Sequence, residues 1–254
     1  MRGELFKGVK QWEIEQPGLT LKRPAFYYDN SSLTAVCTAA ARKVRKLLPH
    51  PDMRLVEMVP GRCLVSFTGF EYRESDIGPY NELSIAFVVT FRKRQIPGVT
   101  LWSQMRKGSS TVYVWQLPVT TEVARSRGVE FYGYPKYLAD IAFDKGKEWV
   151  SCRLAVEGEE ILTLAGKVLP TPGGRRQRVV TYSLIDGVPL VANIVTDALE
   201  FAASRDRQAA KLTLGSHAIS EDLREMELSP NPILYEFSPV TESILFPARN
   251  LMDT

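Results

Sequence analysis

Short segments rich in β-branched and aromatic residues follow one another along most of the chain after Pro51. Such segments form strands, and the Gly and Pro residues between them end each strand and turn the chain. Hairpin turns are predicted at Gly158, at Gly173-Gly174 and at Asp186-Gly187. Strands at this regular interval predict a mainly β fold with a few helices (α+β), in which an antiparallel sheet closes into a barrel or a sandwich. The predicted strands are 54–59, 63–72, 83–92, 110–116, 141–143, 148–156, 160–168, 177–184, 188–195, 211–217 and 234–240.

Three segments are predicted to be helical. Residues 33–48 carry apolar side chains at helical spacing, between turn-forming residues 29–32 and Pro49. Residues 121–127 predict a short helix, and 220–226 predict another, capped by Ser220. Residues 1–24 show little periodicity and are expected to form an N-terminal arm. Because no repeat or composition shift divides the chain, we expect one domain over residues 1–254.

Charge, hydropathy and cysteine content exclude several classes of protein. A net charge of +3 without a basic stripe gives no reason to expect nucleic acid as a partner. The longest apolar run, Leu83–Val89, is too short to cross a membrane, and the N-terminus lacks a signal-peptide core. Three widely spaced cysteines indicate free thiols in a reducing, cytoplasmic compartment. With two histidines in the chain, neither a His-based metal site nor a Ser-His triad is supported, and no cofactor is expected.

The segment Gly128–Phe143 contains one lysine, Lys136, among aromatic and apolar residues. Burying an unpaired ammonium is costly, so two interpretations are open. The lysine stem can lie along the aromatic rings with its amine in water. Alternatively, the amine sits at the bottom of a pocket, where burial favours its neutral, nucleophilic form. The candidate lining residues of such a pocket are Phe131, Tyr132, Tyr134, Tyr137 and Trp115.

The residues around Lys136 resemble a known active-site segment. Glu130 followed by Gly133-Tyr134-Pro135-Lys136 is similar to the segment of the acetoacetate decarboxylase family that carries its reactive lysine. Upstream, Gly78–Glu82 looks like the family's Gly-x-Tyr-x-Glu segment, and 44–49 resembles the end of its first helix. Downstream, 211–218 is similar to a late strand of that fold. The similarity runs in order from about residue 24 to residue 247.

This resemblance implies a set of roles for named residues. Lys136 would form a Schiff base with a keto acid, and Glu82 would act as an acid or base in the pocket, unless it is only a solvated carboxylate at a strand end. Glu130 would line the pocket or make a structural pair. Apart from the resemblance, Tyr132 and Tyr134 are candidate substrate-binding residues, because they lie in the aromatic run around Lys136. A homo-oligomer is implied as well.

The sequence departs from the family at three positions. Tyr137 stands where the decarboxylase carries a second lysine directly after the reactive one. Asn30 stands where the family carries an arginine, and Phe67 where it carries a further pocket glutamate. Asn30, Phe67 and Tyr137 are therefore candidate substrate-binding positions whose chemistry differs from the family pattern.

Three functions remain open at this point. The first is decarboxylation of an acetoacetate-like β-keto acid through a Schiff base on Lys136. The second keeps the lysine and condenses a keto acid such as pyruvate with an aldehyde, followed by loss of water. The third is a non-catalytic β-barrel that binds a hydrophobic small molecule.

Overall fold

A computed structural model describes residues 3–16 and 19–253 of the chain. Strands account for most of this part of the chain, as the sequence predicts. The strands are β1 (Trp12–Gln16), β2 (Leu19–Arg23), β3 (Ala25–Ala40), β4 (Met53–Leu55), β5 (Glu57–Val59), β6 (Arg62–Ser75), β7 (Tyr80–Phe91), β8 (Ser109–Gln116), β9 (Asp140–Lys145), β10 (Trp149–Val156), β11 (Glu159–Lys167), β12 (Gly173–Ile185), β13 (Val188–Ser204), β14 (Ala210–Leu214), β15 (Leu234–Leu245) and β16 (Arg249–Asn250). The helices are α1 (Ala41–Val44), α2 (Val99–Arg106), α3 (Glu122–Tyr132) and α4 (Ala218–Glu225), with 3-10 turns at Glu4–Phe6 and Arg45–Leu47.

Seven strands close into a barrel. Around the barrel the order is β3, β6, β7, β8, β12, β13 and β15, and β15 pairs with β3 to complete the ring. The β8–β12 pair is parallel, with Ser109 opposite Arg178 and Tyr113 opposite Tyr182, whereas the other six neighbouring pairs are antiparallel. The prediction of a mainly β fold with a closed, largely antiparallel barrel is confirmed.

A second, four-stranded sheet lies against the barrel, in the order β14-β11-β10-β9. Buried residues of β10 and β11 share one hydrophobic core with buried residues of β6 and β7. The two sheets approach each other closely at Gly69 of β6, where an added Cβ would lie 2.9 Å from the Sγ of Cys152 on β10. A glycine is therefore needed at this point for the sheet to approach the barrel wall.

The prediction of a helix over residues 33–48 is wrong. Residues up to Ala40 belong to β3, which pairs with β15 on one side and with β6 on the other, and the helical part is limited to Ala41–Leu47. Leu33, Ala35, Cys37 and Ala39 are buried in strand alternation, and pairing on both edges outweighs the helical spacing of other apolar residues. The turn predicted at 29–32 also falls inside β3, where the register shifts between Asp29 and Asn30.

Several smaller predictions differ from the structure. Gly173-Gly174 is not a hairpin turn but the start of β12, whereas the turns at Gly158 and at Asp186-Gly187 are confirmed by the β10–β11 and β12–β13 hairpins. Helix α4 is capped by His217, whose side chain accepts from the Ile219 backbone N–H, and not by Ser220. The helix predicted at 121–127 extends to Tyr132, and α2 was not predicted.

The N-terminal region is more regular than an arm. Strands β1 and β2 form an antiparallel pair, in which Trp12 lies opposite Arg23. Residues 1, 2, 17, 18 and 254 of the predicted domain lie outside the described residues. The assignment of the whole chain to one domain stays a prediction. In the described part of the chain, no helix is both long enough and apolar enough to cross a membrane. Cys37, Cys63 and Cys152 are free thiols, as predicted.

Candidate active site

Lys136 is positioned by the C-terminal end of α3. The helix begins at a Thr121 cap and ends at Gly133, which has a φ of 59° in the left-handed region. The Gly133 N–H donates to the Val129 oxygen at 3.1 Å, as in other helices that end at a left-handed glycine, and the Tyr134 N–H donates to the Gly128 oxygen at 3.0 Å. A side chain at Gly133 would lie 2.4 Å from the Leu184 oxygen, so both the conformation and the space require glycine. The chain therefore leaves the helix in a fixed direction toward Lys136.

Val119 joins the lysine segment to strand β7. Its N–H donates to the Tyr137 oxygen at 2.9 Å, and its oxygen accepts from Ala139 at 3.0 Å. Val119 also forms a bridge with Glu82 of β7, next to the hydrogen bond from Leu83 to Pro118. The backbone on both sides of Val119 is thus fixed, and it brings Lys136 and Glu82 together although they are far apart in sequence.

Lys136 and Glu82 form a buried ion pair. The Nζ of Lys136 donates to Oε2 of Glu82 at 2.6 Å, and the two side chains are 6% and 9% exposed. The other oxygen of Glu82 accepts from the Tyr72 hydroxyl at 3.4 Å. The Tyr80 ring centroid lies 5.6 Å from the amine, within the range of a cation–π contact. The amine is therefore in contact with a carboxylate and an aromatic ring and is shielded from water, so the interpretation with an exposed amine does not apply.

The lysine stem lies directly on the backbone of α3. A Cβ added to Gly128 would be 2.3 Å from Cδ and 2.5 Å from Cε of Lys136, distances that no side chain tolerates. Gly128 is in the middle of the helix, where glycine is disfavoured relative to alanine. The glycine is explained by this contact, which makes room for the lysine to reach Glu82.

Three buried tyrosines surround the ion pair. The rings of Tyr27 and Tyr72 and those of Tyr72 and Tyr80 have centroids 4.6 Å apart. Burial raises the pKa of Tyr27 to about 12 and raises the pKa of Tyr72 and of Tyr80 well above the ordinary value. The negative charge of Glu82 adds to the rise in pKa for all three. These hydroxyls stay protonated at neutral pH, and that of Tyr72 donates to Glu82.

Tyr132 and Tyr134, two of the tyrosines predicted around Lys136, are buried. Tyr132 and Tyr134 stack with centroids 5.5 Å apart and belong to the same buried cluster as Tyr27, Tyr72 and Tyr80. The Tyr134 hydroxyl is 2.6 Å from that of Thr181.

Tyr137, next to Lys136, is half-buried. Burial raises its pKa, and within the described part of the chain its hydroxyl has no hydrogen-bond partner.

Four other predicted residues have environments of their own. Glu130 is exposed on α3, where its charge acts on Arg125. Asn30 is buried and donates its amide to the Thr241 oxygen at 2.9 Å. Phe67 is fully buried in the core between the barrel and the second sheet. Trp115 packs on Phe87 beside that same core. The substrate-binding role of Asn30, Phe67 and Glu130 stays a prediction.

Sequence reasoning missed Tyr27, Tyr72 and Gly128 as residues of this site. Gly128 directly follows the predicted helix 121–127, where a glycine indicates a helix end, and only the extension of α3 to Tyr132 places it inside the helix as a close packing contact. Tyr27 and Tyr72 join the site only through strand register, which the sequence alone does not fix.

The arrangement suits amine chemistry better than metal chemistry. No cluster of three or more potential metal ligands occurs in residues 3–16 and 19–253. Two surface grooves of about 390 and 470 Å³ are lined by residues between Arg45 and Gln95 and share no lining residue with the ion pair. At the ion pair, Glu82 can take the proton that Lys136 must lose to become a nucleophile, along a hydrogen bond that already exists.

Solved structures of similar fold include several enzymes. An acetoacetate decarboxylase from Legionella pneumophila subsp. pneumophila str. Philadelphia 1 is 16% identical, with a TM-score of 0.63, covering 98% of this chain and 94% of that one. The enduracididine biosynthesis enzyme MppR, complexed with the condensation product of pyruvate and imidazole 4-carboxaldehyde, is 14% identical, with a TM-score of 0.63 and coverage of 91% and 90%. An acetoacetate decarboxylase-like enzyme from Sphingomonas wittichii RW1 is 14% identical, with a TM-score of 0.57 and coverage of 89% and 92%.

At these identities the solved structures establish the shared fold alone. No curated protein matches the chain by sequence. The model of the acetoacetate decarboxylase (ADC) family, however, matches residues 15–229, which is well over half of the 254 residues. The chain therefore belongs to the acetoacetate decarboxylase family.

Proposed function

We propose that this chain is a lyase that forms a Schiff base between Lys136 and a small keto acid. The observation that carries the proposal is the buried 2.6 Å pair between Lys136 and Glu82. An ammonium with its stem packed on Gly128 is held in one place, and its partner is the base needed to remove its proton. A cytoplasmic homo-oligomer is the form in which we expect the enzyme to work.

The first steps follow from the positions of the two side chains. Glu82 takes a proton from the Lys136 ammonium, and the neutral amine adds to the ketone carbon of the substrate. The resulting carbinolamine loses its hydroxyl as water, with Glu82 returning the proton, and leaves an iminium at Nζ. The low-dielectric surroundings formed by Tyr72 and Tyr80 strengthen the electrostatic pull of this cation on nearby electrons.

Decarboxylation of a β-keto acid is the reaction we favour. The bond between the carboxylate carbon and the α-carbon breaks, carbon dioxide leaves, and the electron pair moves through the α-carbon to the iminium nitrogen, which becomes an enamine. A proton added to the enamine carbon restores an iminium, and water then releases the ketone product and the free Lys136 amine. No cofactor is needed, because the iminium itself accepts the electron pair.

Aldol condensation followed by dehydration is the second candidate. Tyr137 replaces the lysine that the decarboxylase carries after its reactive lysine, so no second ammonium lies at that position. MppR, a protein of similar fold, binds the condensation product of pyruvate and an aldehyde. In this reaction the enamine formed from pyruvate attacks the aldehyde carbon, and the new hydroxyl leaves as water, so the carboxylate is retained.

Reductive trapping tests the proposal. The protein is incubated with acetoacetate or pyruvate and borohydride, and the adduct is mapped by mass spectrometry. We expect one adduct on Lys136 and none in Lys136→Met. Labelling of another lysine, or of the variant, would contradict the assignment, and a complete absence of adduct would favour a non-catalytic binding barrel. Release of carbon dioxide from acetoacetate distinguishes decarboxylation from condensation, which requires pyruvate and an aldehyde together.

A further inference from the structure

Arg127 is a buried cation whose charge is not balanced within the described residues. It lies on α3 and is 5% exposed. Its Nη2 donates to the backbone oxygen of Lys22 at 2.7 Å, whereas its Nη1 is buried with no hydrogen-bond partner in residues 3–16 and 19–253. A buried guanidinium with an unused donor is unfavourable, so the unused donor calls for an explanation.

A second guanidinium lies beside the first. Arg23 stacks on the Phe131 ring, with 3.9 Å between its Cζ and the ring centroid, and its Nη2 is also buried without a partner among the described residues. Burial lowers the pKa of Arg23, and the neighbouring charge of Arg127 acts in the same direction. Two adjacent cations with buried, unused N–H donors form a site that an anion would stabilise, because it would offset the positive charge and accept from the donors.

The Tyr132 hydroxyl lies next to this pair of arginines. The pKa of Tyr132 is raised by burial, and the charges of Arg127 and Arg23 oppose that rise. The approach of an Arg127 N–H to the Tyr132 oxygen also lowers the pKa, although this contact falls short of normal hydrogen-bond geometry. Because a guanidinium only donates, the Tyr132 oxygen is an acceptor toward Arg127, and its O–H is left as a further buried donor.

Arg127 is linked to the lysine site through α3 and through Tyr27. Gly128, which supports the Lys136 stem, directly follows Arg127 on α3. Charges from both sites act on the Tyr27 hydroxyl. Burial is the main cause of its raised pKa, the positive charge of Arg127 lowers that pKa, and the negative charge of Glu82 raises it. Arg127 and the carboxylate partner of Lys136 thus lie within electrostatic reach of one hydroxyl.

We propose that Arg127, with Arg23 beside it, binds the carboxylate of the keto acid and so directs its ketone carbon to Lys136. Guanidinium groups bind carboxylates through two parallel N–H donors, and Arg127 has a buried donor free for this contact. The inference rests on the proposed function, because it names the group that recognises the acid end of the same substrate. It predicts that the site prefers keto acids over ketones without a carboxylate.

Trapping with two carbonyl compounds tests this role. Acetoacetate carries the carboxylate and acetone does not, and both can form an iminium with Lys136. In Arg127→Gln we expect the acetoacetate concentration for half-maximal trapping to rise about 10- to 100-fold, as for loss of a charged hydrogen bond, while the acetone value stays within about twofold. Arg127→Lys, which keeps the charge, should retain part of the preference. Arg125→Gln is the matched control, since Arg125 is on the same helix and pairs with Glu122.

The outcomes separate this inference from the proposed function. An equal loss with both compounds in Arg127→Gln would overturn the carboxylate role and make Arg127 a structural anchor for β2. A wild-type protein trapped by neither compound would refute the proposed function, and this inference with it. If Arg127→Gln does not fold, competition in the wild-type protein decides the question. Acetate should inhibit acetone trapping more strongly than acetamide does, and equal inhibition would overturn the proposal.

Discussion

Gly128→Ala is the substitution that tests most directly how the lysine is positioned. On an open helix face this change would stabilise the protein by about 1 kcal/mol, since alanine is the better helix former. Here the new Cβ would lie 2.3 Å from Cδ of Lys136, whereas carbon atoms in contact prefer about 3.5–4.0 Å. The lysine stem must therefore move by about 1 Å or more, away from its 2.6 Å contact with Glu82. A displacement of that size at a reacting group costs about 100-fold in rate.

The rate of borohydride-trapped adduct formation with acetoacetate measures this effect, and thermal unfolding shows that the variant is folded. Gly173→Ala is the matched control, because a Cβ at Gly173 meets nothing within 4 Å. We expect trapping to fall about 100-fold in Gly128→Ala and to be unchanged in the control. If Gly128→Ala traps at the wild-type rate and gains the stability of an ordinary glycine-to-alanine change, the lysine stem does not lie on this helix.

Two further predictions concern stability. Lys136→Met leaves the Glu82 carboxylate buried without its cation, so it should lower the free energy of unfolding by about 3–5 kcal/mol. Lys136→Met/Glu82→Gln should recover most of that loss. Urea unfolding measures both variants, and a double variant no more stable than the single one would argue against the ion pair. Burial raises the pKa of Tyr27 from 10.0 to about 12, so the folded state keeps a proton that the unfolded state releases, and stability is full below pH 10 and falls as the pH rises toward 12. Tyr27→Phe should reduce the loss of unfolding free energy between pH 10 and pH 12 by up to about 2.7 kcal/mol, as measured by urea unfolding at each pH. The same loss in the variant and in the wild-type protein would contradict the effect of burial on Tyr27.

The strands and hairpins were predictable because their signals are local. The turns at Gly158 and Asp186-Gly187 separate alternating segments, and both hairpins form as predicted. Residues 33–40 were misread because their apolar residues satisfy helical and strand spacing at once. The decisive factor was pairing on both edges with β15 and β6, and those partners lie far away in the sequence.

The candidate site was predictable in part. A family resemblance in the sequence led to Lys136 and Glu82, and the two side chains meet in the structure at 2.6 Å. The tyrosines that enclose them could not be identified in the same way. Tyr72 lies opposite Tyr80 only because of the β6–β7 register, and Tyr27 reaches them only through the bulged part of β3. A shift of one residue in either pairing would turn these side chains to the other face.

The parallel junction between β8 and β12 follows from simple parity. Strand directions can alternate without interruption around a ring only when the number of strands is even, so a ring of seven must contain a parallel neighbour pair. A parallel pair cannot be joined by a tight hairpin and needs a long crossover. Residues 117–172 are that crossover, and they include Lys136. The parallel pair that an odd strand number requires falls here between β8 and β12, so the connection that it needs is the segment that carries Lys136. Pairing of such distant segments is a slow class of folding event, and the ion pair between Lys136 and Glu82 can form only once these segments are in place.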